Sequence, residues 1–231
     1  MSPALENYLC VIYILEREEG GPLIAATVAE RVGVTAATMT ETLRRLVQEG
    51  CVALDKRKRI SLTPKGREIA ESVMRRHGLV ERLLTDVLGL DWSKVHEEAH
   101  RLEHVISPEV EERLARFLKY PATCPHGNPI PGRQRTTLRK SLPLHQVGAG
   151  QEVLLERITE DAEQDSRLLQ HLDESGLRPG RRFRVAEVAP WLGTITLDTG
   201  AQRLSLGIAA ARKIWVSPIG SASAGRRGQR A

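Results

Sequence analysis

Histidine and glutamate residues are concentrated in the middle third of the chain, in a spacing that suits metal binding. Four of the seven histidines lie between residues 77 and 104. If residues 93–119 form one helix, four potential ligands on it fall within roughly a 100° arc: His96, His100, Glu103 and His104. His77 and Glu81 are four residues apart and share a face of an upstream helix. Because imidazole and carboxylate together bind divalent first-row metals, the sequence predicts a metal centre here.

Two other interpretations fit parts of the same region. His96-Glu97-Glu98-Ala99-His100 matches the H-E-x-x-H pattern of zinc hydrolases, in which both histidines hold Zn²⁺ and Glu97 would be the general base. That pattern leaves Glu103 and His104 without a role. In the other interpretation the histidines and glutamates form an ion-paired, solvated helix face. Their spread over two helices favours the metal centre.

Further ligands could come from the first helix and from the C-terminal domain. Asn7 and Cys10 are three residues apart on the predicted first helix, and either could reach a metal held in the middle third. Each also has a structural explanation, Cys10 as a small buried residue. An acidic loop before a C-terminal helix contains Glu163 and Gln164. This loop could donate an oxygen ligand, or it could simply be solvated.

The N-terminal segment has the pattern of a winged helix-turn-helix. Apolar periodicity predicts helices over residues 2–18, 24–32 and 37–49, and two short apolar segments, 51–54 and 60–62, predict a hairpin. A recognition helix would expose five residues to a DNA groove: Thr35, Ala37, Thr38, Thr40 and Glu41. The hairpin tip carries four successive cations suited to phosphate contacts: Lys56, Arg57, Lys58 and Arg59. An ordinary helical hairpin and a solvated charge run are the alternatives.

The rest of the chain predicts two further domains and a tail. Helical periodicity continues, with a break at Gly89, to about Lys119, and a segment rich in proline and glycine follows. Short apolar segments beyond Pro143, with one helix at about 165–175, predict a small SH3-like β-barrel. The predicted fold is therefore mainly α with a small β domain. Its parts are a winged helix (1–74), a helical metal-binding domain (75–140), an SH3-like domain (141–217) and a disordered tail (218–231).

Composition excludes several classes of protein. With 231 residues, 41% hydrophobic and 27% charged, the chain is neither collagen-like nor wholly disordered. It lacks a run of roughly 18 apolar residues and an N-terminal signal pattern, so no membrane is expected. Three cysteines without a motif predict reduced thiols and a cytoplasmic location. Three arginines and no acidic residue lie in 218–231, so most of the net charge of +5 says little about DNA binding by the folded part.

Three segments resemble the metal-dependent repressors of the diphtheria toxin repressor and manganese transport regulator type. They are MRRHGLVERLL at 74–84, VHEEAHRLEHV at 95–105 and GNPIPG at 127–132. The resemblance covers about residues 5–217 and implies a winged helix, a helical dimerisation domain and an SH3-like domain. It also implies a homodimer that takes Mn²⁺ or Fe²⁺ as corepressor, at two sites per subunit, and then binds palindromic operators of metal-uptake genes.

The resemblance assigns the candidate ligands to two sites. Those of the ancillary site are His77, Glu81 and His96, with Glu163 and Gln164 near the position where the SH3-like domain can complete it. Those of the primary site are Asn7, His100, Glu103 and His104. Iron-type members carry Met and Cys where this chain has Asn7 and His100, and the loss of both sulfurs favours Mn²⁺ over Fe²⁺. An imidazole also suits Fe²⁺, and Cys10, which lies where manganese-type members place a second acidic ligand, could restore a sulfur. Glu41 replaces an amide of the iron type, so the operator sequence does not carry over.

We therefore expect a homodimeric, Mn²⁺-responsive repressor, with an Fe²⁺-responsive repressor as the nearest alternative. The expected partners are an operator in double-stranded DNA and a second copy of the chain, without a membrane, a small-molecule substrate or an enzymatic activity. Two alternatives come from other classes. One is a zinc hydrolase that uses His96, Glu97 and His100, and the other is a metal-independent DNA-binding protein whose histidines are only structural.

Overall fold

The computed structural model describes residues 1–19, 22–132 and 141–219, which form two compact units. Within the described residues, the first unit contains 1–89, 96–124 and 129–132, and the second contains 90–95, 125–128 and the chain from 141. The predicted disordered tail lies, from residue 220, outside the described residues, and so does the end of the predicted helical domain at 133–140. No helix in the described part of the chain is long and apolar enough to cross a membrane.

The N-terminal part of the first unit is a winged helix, as the apolar pattern predicts. Its elements are α1 (Pro3–Glu19), α2 (Ala25–Val32), α3 (Ala36–Gln48), β1 (Val52–Leu54), β2 (Ile60–Leu62) and α4 (Pro64–Arg82). β1 and β2 form an antiparallel hairpin in which Ala53 lies opposite Ser61. The helices and the hairpin share one apolar core, in which Leu9, Ile12 and Met39 are completely buried. Burial of such side chains contributes roughly 1.5–3 kcal/mol each, which holds the recognition helix α3 on the scaffold.

Local sequence signals explain where these helices begin. Thr35 accepts a hydrogen bond from the Thr38 N–H at 3.1 Å and so caps α3. Thr63 caps α4 in the same way, through the Gly66 N–H at 3.1 Å. A Cβ on Gly66 would lie 2.0 Å from the Cys51 carbonyl oxygen, so only glycine lets the first turn of α4 approach the start of β1 this closely.

The prediction of one helix over residues 93–119 is wrong, because the structure contains two. α5 covers Val95–Leu102 and α6 covers Pro108–Phe117. Ser107 caps α6 by accepting a hydrogen bond from the Val110 N–H at 3.3 Å. Pro108 follows it, and proline has no N–H to donate to a preceding turn and clashes with a continuing helix. Residues 103–107 therefore leave the helix, and Glu103 and His104 lie in the turn after α5.

The second unit contains a six-stranded antiparallel sheet. Its elements are β3 (Leu142–Pro143), β4 (Glu152–Ile158), α7 (Glu160–Glu163), α8 (Ser166–Glu174), β5 (Arg182–Ala189), β6 (Thr194–Asp198), β7 (Arg203–Gly207), α9 (Ile208–Ala211) and β8 (Ile214–Pro218). The strand order is β3-β8-β4-β5-β6-β7, and β3 and β7 are the edges of the sheet within the described residues. Leu155, Val185 and Leu197 are completely buried in its core. The short apolar segments beyond Pro143 predicted strands in this part of the chain, but a loop was predicted where the short helix α7 forms.

Candidate metal centre and nucleic-acid interface

His77, Glu81 and His96 form a compact group inside the first unit. His77 and Glu81 lie one turn apart on α4, and His96 reaches them from α5. His77 Nε2 lies 3.0 Å from Glu81 Oε1 and 3.1 Å from His96 Nδ1, and His96 Nδ1 lies 3.3 Å from the same glutamate oxygen. Glu81 is completely buried and His77 is 8% exposed. Three potential metal ligands therefore converge in the interior.

Glu103 is the centre of a second group. Its Oε2 atom lies 2.6 Å from His77 Nδ1, and its Oε1 atom lies 3.0 Å from His100 Nδ1 and 3.1 Å from His104 Nε2. Glu103 is buried, whereas the His100 side chain is 53% exposed. The turn before Pro108 thus brings Glu103 and His104 together with His100. The prediction that all three lie on one helix is wrong, because α5 ends at Leu102.

The first helix contributes to this second group. His104 Nε2 lies 2.9 Å from Asn7 Oδ1, and His104 Nδ1 lies 2.7 Å from Glu6 Oε2. Glu6 was not predicted as a site residue. The signal that could have identified it is an acidic side chain next to Asn7 and one helical turn before Cys10.

Cys10 lies in the interior beside α4. Its Sγ atom donates a hydrogen bond to the Ala70 carbonyl oxygen at 3.9 Å. Burial raises the pKa of the Cys10 thiol, and the charges of Glu103 and Glu6 raise it further. Without a metal the residue is therefore a neutral thiol. The role of Cys10 as a ligand remains a prediction.

The charges of the two groups are coupled. Burial lowers the pKa of His77, but Glu81 and Glu103 more than offset this and raise it well above 6.5. Burial raises the pKa of Glu103, but the hydrogen bonds with His100 and His77 outweigh it and lower the pKa to about 2. The metal-free group therefore contains a charged His77 between two carboxylates, and a divalent cation could replace its proton.

The donor set fits a divalent metal. His77, His100 and Glu103 each offer one ligand atom, and these atoms lie within 4.8 Å of one another. Buried carboxylates need a compensating positive charge, and carboxylate and imidazole are ligands for Mn²⁺, Fe²⁺ and Zn²⁺. A bound metal would supply that charge and hold together side chains from α1, α4 and the turn after α5.

The H-E-x-x-H residues do not form a single site. His96 Nδ1 faces Glu81, and His100 Nδ1 faces Glu103. Glu97 is exposed and ion-paired with Arg101. A zinc hydrolase needs both histidines on one metal and the glutamate beside its bound water, which is not the arrangement here.

Glu163 and Gln164 belong to the second unit. Glu163, at the end of α7, is buried, and its Oε1 atom accepts a hydrogen bond from Asn128 Nδ2 at 2.5 Å. His126 Nδ1 lies 3.5 Å from the same oxygen. Gln164 follows as the C-cap of α7 and is exposed. The role of both residues as metal ligands remains a prediction.

The predicted recognition residues lie on the exposed face of α3 and at its start. They are Thr35, Ala37, Thr38, Thr40 and Glu41. Thr35 Oγ1 lies 2.9 Å from Thr38 Oγ1, and Thr40 Oγ1 donates to the Ala36 carbonyl oxygen at 2.8 Å. These hydroxyl groups are therefore held by the helix itself, with their methyl groups available for apolar contacts.

The predicted wing is a tight turn organised by Asp55. Asp55 Oδ1 accepts hydrogen bonds from the Arg57 and Arg59 N–H groups at 2.8 and 2.9 Å, and Arg59 Nε contacts Asp55 Oδ2 at 2.5 Å. Lys58 adopts a φ of 58°. Lys56, Arg57 and Lys58 project from this turn and are exposed, whereas the charge of Arg59 is partly neutralised by Asp55. The wing thus presents three cations that DNA phosphates could contact.

A winged helix whose first helix meets a buried histidine–glutamate cluster is the structure of a metal-binding, DNA-binding protein. Three family models match the chain. "Iron dependent repressor, N-terminal DNA binding domain" matches residues 1–60, "Iron dependent repressor, metal binding and dimerisation domain" matches residues 63–132, and "FeoA domain" matches residues 142–218.

Relatives extend the match over most of the chain. It is 36% identical over 224 residues to the iron-dependent repressor IdeR of Mycobacterium tuberculosis, covering 93% of this chain and 96% of that protein. It is 49% identical over 127 residues to the diphtheria toxin repressor of Corynebacterium diphtheriae, covering 55% of this chain and 56% of that protein. A solved manganese-dependent transcriptional repressor in complex with manganese has a TM-score of 0.81 at 32% identity, covering 93% of this chain and all 100% of that one.

The chain belongs to the diphtheria toxin repressor family of metal-dependent transcriptional repressors. The matched DNA-binding and dimerisation domains indicate DNA binding and a homodimer. The family is one of repressors and not of enzymes, so the zinc-hydrolase interpretation of His96, Glu97 and His100 is wrong.

Proposed function

We propose that this protein is a Mn²⁺-responsive repressor that acts in the cytoplasm as a homodimer and binds palindromic operators of metal-uptake genes. The observation that carries the proposal is the contact between Asn7 Oδ1 and His104 Nε2, 2.9 Å apart. It joins the first helix of the winged helix to the ligand group of the dimerisation domain. Residues on both sides of this contact are candidate ligands, so metal binding and the position of the DNA-binding helices are coupled.

The chemistry of the donors favours Mn²⁺. Asn7 offers an amide oxygen, Glu103 a carboxylate and His104 an imidazole, which suit Mn²⁺ better than a sulfur-rich set would. Mn²⁺ binds more weakly than Fe²⁺ or Zn²⁺ at most sites of this kind, so selectivity must come from activation. Zn²⁺ prefers four ligands and need not recruit Asn7, so we expect it to bind tightly and to activate poorly.

An Fe²⁺-responsive repressor is the second candidate. Two observations support it: the iron-dependent repressor of M. tuberculosis is 36% identical to this chain, and the nitrogen of His100 suits Fe²⁺ as well as Mn²⁺. Iron-type members of the family carry other residues at the positions of Asn7 and His100. Substitutions at these two positions can therefore distinguish an Mn²⁺-responsive from an Fe²⁺-responsive repressor.

The two candidate groups would form two metal sites per subunit. His77, Glu81 and His96 would hold the ancillary metal. Asn7, His100, Glu103 and His104 would hold the primary metal. Glu6 joins the primary group, because its carboxylate contacts His104 at 2.7 Å.

Exposed apolar side chains in the dimerisation region would be covered by a second copy of the chain. Six of them are 40–76% exposed: Val87, Leu88, Leu102, Val105, Val110 and Phe117. All six lie within residues 63–132, which match the dimerisation model. A two-fold symmetric dimer presents two recognition helices, and so would bind a palindrome whose half-sites are spaced by helical turns of DNA.

The mechanism is a linkage between metal binding and DNA binding. The metal, when bound, supplies the positive charge that holds the carboxylates and imidazoles together. Asn7 and Glu6 then fix α1 against His104, and α1 in turn packs against α4. A metal shifts the equilibrium towards the operator-competent arrangement only by its difference in affinity for the two arrangements.

The test compares the affinity of the protein for its operator in the presence of each metal. A duplex is selected from a random DNA library with Mn²⁺-loaded protein, and its affinity is measured anaerobically with Mn²⁺, Fe²⁺, Zn²⁺ and EDTA. We expect Mn²⁺ to activate at least as well as Fe²⁺, and Zn²⁺ to bind without full activation. The double variant Asn7→Met, His100→Cys, which restores the iron-type ligands, should shift the preference to Fe²⁺. A wild type that prefers Fe²⁺, together with an unshifted double variant, would contradict the manganese assignment.

A further inference from the structure

The recognition helix carries an arginine–glutamate pair of which the sequence singled out only the glutamate. Arg44 Nε donates to Glu41 Oε2 at 3.1 Å, and Arg44 Nη2 donates to Glu41 Oε1 at 2.9 Å. Two parallel hydrogen bonds therefore join one edge of the guanidinium to the carboxylate in a bidentate pair. Both side chains are more than half exposed, 64% for Arg44 and 57% for Glu41.

The pair has no evident structural task. An exposed ion pair three residues apart on a helix contributes little to stability. The core face of α3 is formed by other residues, among them Met39, Leu43 and Leu46. Glu41 and Arg44 instead lie on the outward face, about 60° apart around the helix and on the same side as Ala37.

The pairing changes what Glu41 can do near DNA. A single carboxylate on a recognition helix is repelled by the phosphates. Joined to Arg44 it is part of a pair without net charge, and its oxygens are occupied by the guanidinium. The pKa of Glu41 lies below its usual range because of the hydrogen bond from Arg44, so the carboxylate stays ionised and keeps the pair intact.

The guanidinium retains donors for a second partner. Arginine has five N–H donors, and Glu41 takes one from Nε and one from Nη2. The end of the fork, formed by Nη1 and the second Nη2 hydrogen, remains free of Glu41. Two parallel donors of this kind match O6 and N7 of guanine, the arginine contact that is most common in the major groove.

We propose that Glu41 and Arg44 act as one recognition unit, in which Glu41 orients the guanidinium and Arg44 donates to O6 and N7 of one guanine in each operator half-site. Arg44 is then a specificity-determining residue and Glu41 a positioning residue. This inference rests on the metal-activated DNA binding proposed above and adds the identity of a base and the residues that read it.

The experiment repeats the selection from a random duplex library with Mn²⁺-loaded wild type and with Arg44→Ala. We expect the wild-type motif to contain a fixed G·C pair in each half-site that is lost in the variant. On the wild-type duplex, replacing that guanine should cost the wild type roughly 5- to 100-fold in affinity and Arg44→Ala almost nothing. If Arg44→Ala selects the wild-type motif, or loses affinity equally on all duplexes, the proposal is wrong. An equal loss on all duplexes would indicate that Arg44 contacts phosphate.

Two further variants separate orientation from charge. Arg45→Ala removes the same charge from the neighbouring exposed position of α3 and should weaken binding without changing the motif. Glu41→Gln should raise affinity for unselected duplexes, because a negative charge is lost, yet reduce discrimination at the guanine, because an amide cannot accept both hydrogen bonds. If Glu41→Gln retains full discrimination, Glu41 does not position Arg44. If wild-type protein binds no duplex with any metal, the proposed function fails instead.

Discussion

His77 Nδ1 lies 2.6 Å from Glu103 Oε2, and this contact joins the two ligand groups of the protein. The other ring nitrogen of His77 faces Glu81 and His96. A histidine that binds a metal through one nitrogen commonly donates its other N–H to a carboxylate, which fixes the orientation of both. His77 can therefore serve the ancillary group directly and the primary group through Glu103, so the two groups are not independent.

The variant His77→Gln tests this connection. We expect it to weaken Mn²⁺ binding at the primary group by roughly 10- to 100-fold, because Glu103 loses an orienting contact, in addition to weakening the ancillary group. The measurement is a Mn²⁺ titration followed by the electron paramagnetic resonance of free Mn²⁺. His96→Gln is the matched control, since His96 contacts Glu81, and should affect the ancillary phase alone. Equal effects of the two variants on binding at the primary group would contradict the connection.

Substitution of two glutamates, Glu103 and Glu97, distinguishes a metal ligand from an exposed residue outside the site. Glu103→Gln should abolish metal-dependent DNA binding, because it removes the buried carboxylate that contacts both His100 and His104. Glu97→Gln should be nearly silent, because Glu97 is exposed and contacts Arg101. Gel shifts with and without Mn²⁺ measure both. A silent Glu103→Gln would remove Glu103 from the site.

His104→Ala should abolish metal-dependent DNA binding and leave the dimer folded. His104 is the imidazole that meets both Asn7 and Glu6, so its loss disconnects α1 from the ligand group. Gel shifts report the DNA binding, while light scattering and circular dichroism report the dimer and its fold. Retained repression that still responds to metal would overturn the primary-site assignment.

The cations of the wing should affect the salt dependence of operator binding but not the DNA sequence that the protein prefers. Replacing Lys56, Arg57 and Lys58 by Ala should weaken operator binding and flatten its salt dependence, by roughly 0.9 in slope per lost phosphate contact. Phosphate contacts set register and affinity but read no bases, so the selected motif should stay the same. Arg59→Ala, which removes the cation already paired with Asp55, should lower the slope less. An unchanged slope in the triple variant would show that the wing does not touch DNA.

The stability of the metal-free protein should depend on pH through Glu103 and His77. The pKa of Glu103 is lowered from 4.5 to about 2, so its contribution is complete above pH 4.5 and is lost as the pH falls towards 2. The pKa of His77 is raised well above 6.5, so its contribution is complete below pH 6.5 and is lost as the pH rises through that higher value. Urea unfolding in EDTA from pH 3 to 9 measures this, with His77→Gln as the control that should flatten the alkaline loss. Metal-free protein that gains stability above pH 7 through His77 would contradict it.

Much of this protein follows from local sequence rules. The spacing of His77 and Glu81 places them on one helix face because an α-helix repeats every 3.6 residues, and the structure puts their side chains 3.0 Å apart. Thr35 and Thr63 cap helices because a hydroxyl can accept from an orphan N–H two or three residues on. The hairpin and its basic tip follow from two short apolar segments around a charged turn. Each of these rules involves a few neighbouring residues.

The tertiary structure decided how the ligands are grouped. Ser107 and Pro108 end the helical path that periodicity alone would continue, and so Glu103 and His104 turn away from α5. The contact of Glu103 with His77 spans 26 residues, and that of His104 with Glu6 spans 98. No periodicity fixes such distances, because they depend on how α1, α4 and α5 pack around a common core. The sequence therefore determined which residues could bind a metal, and the packing of the helices determined which of them meet.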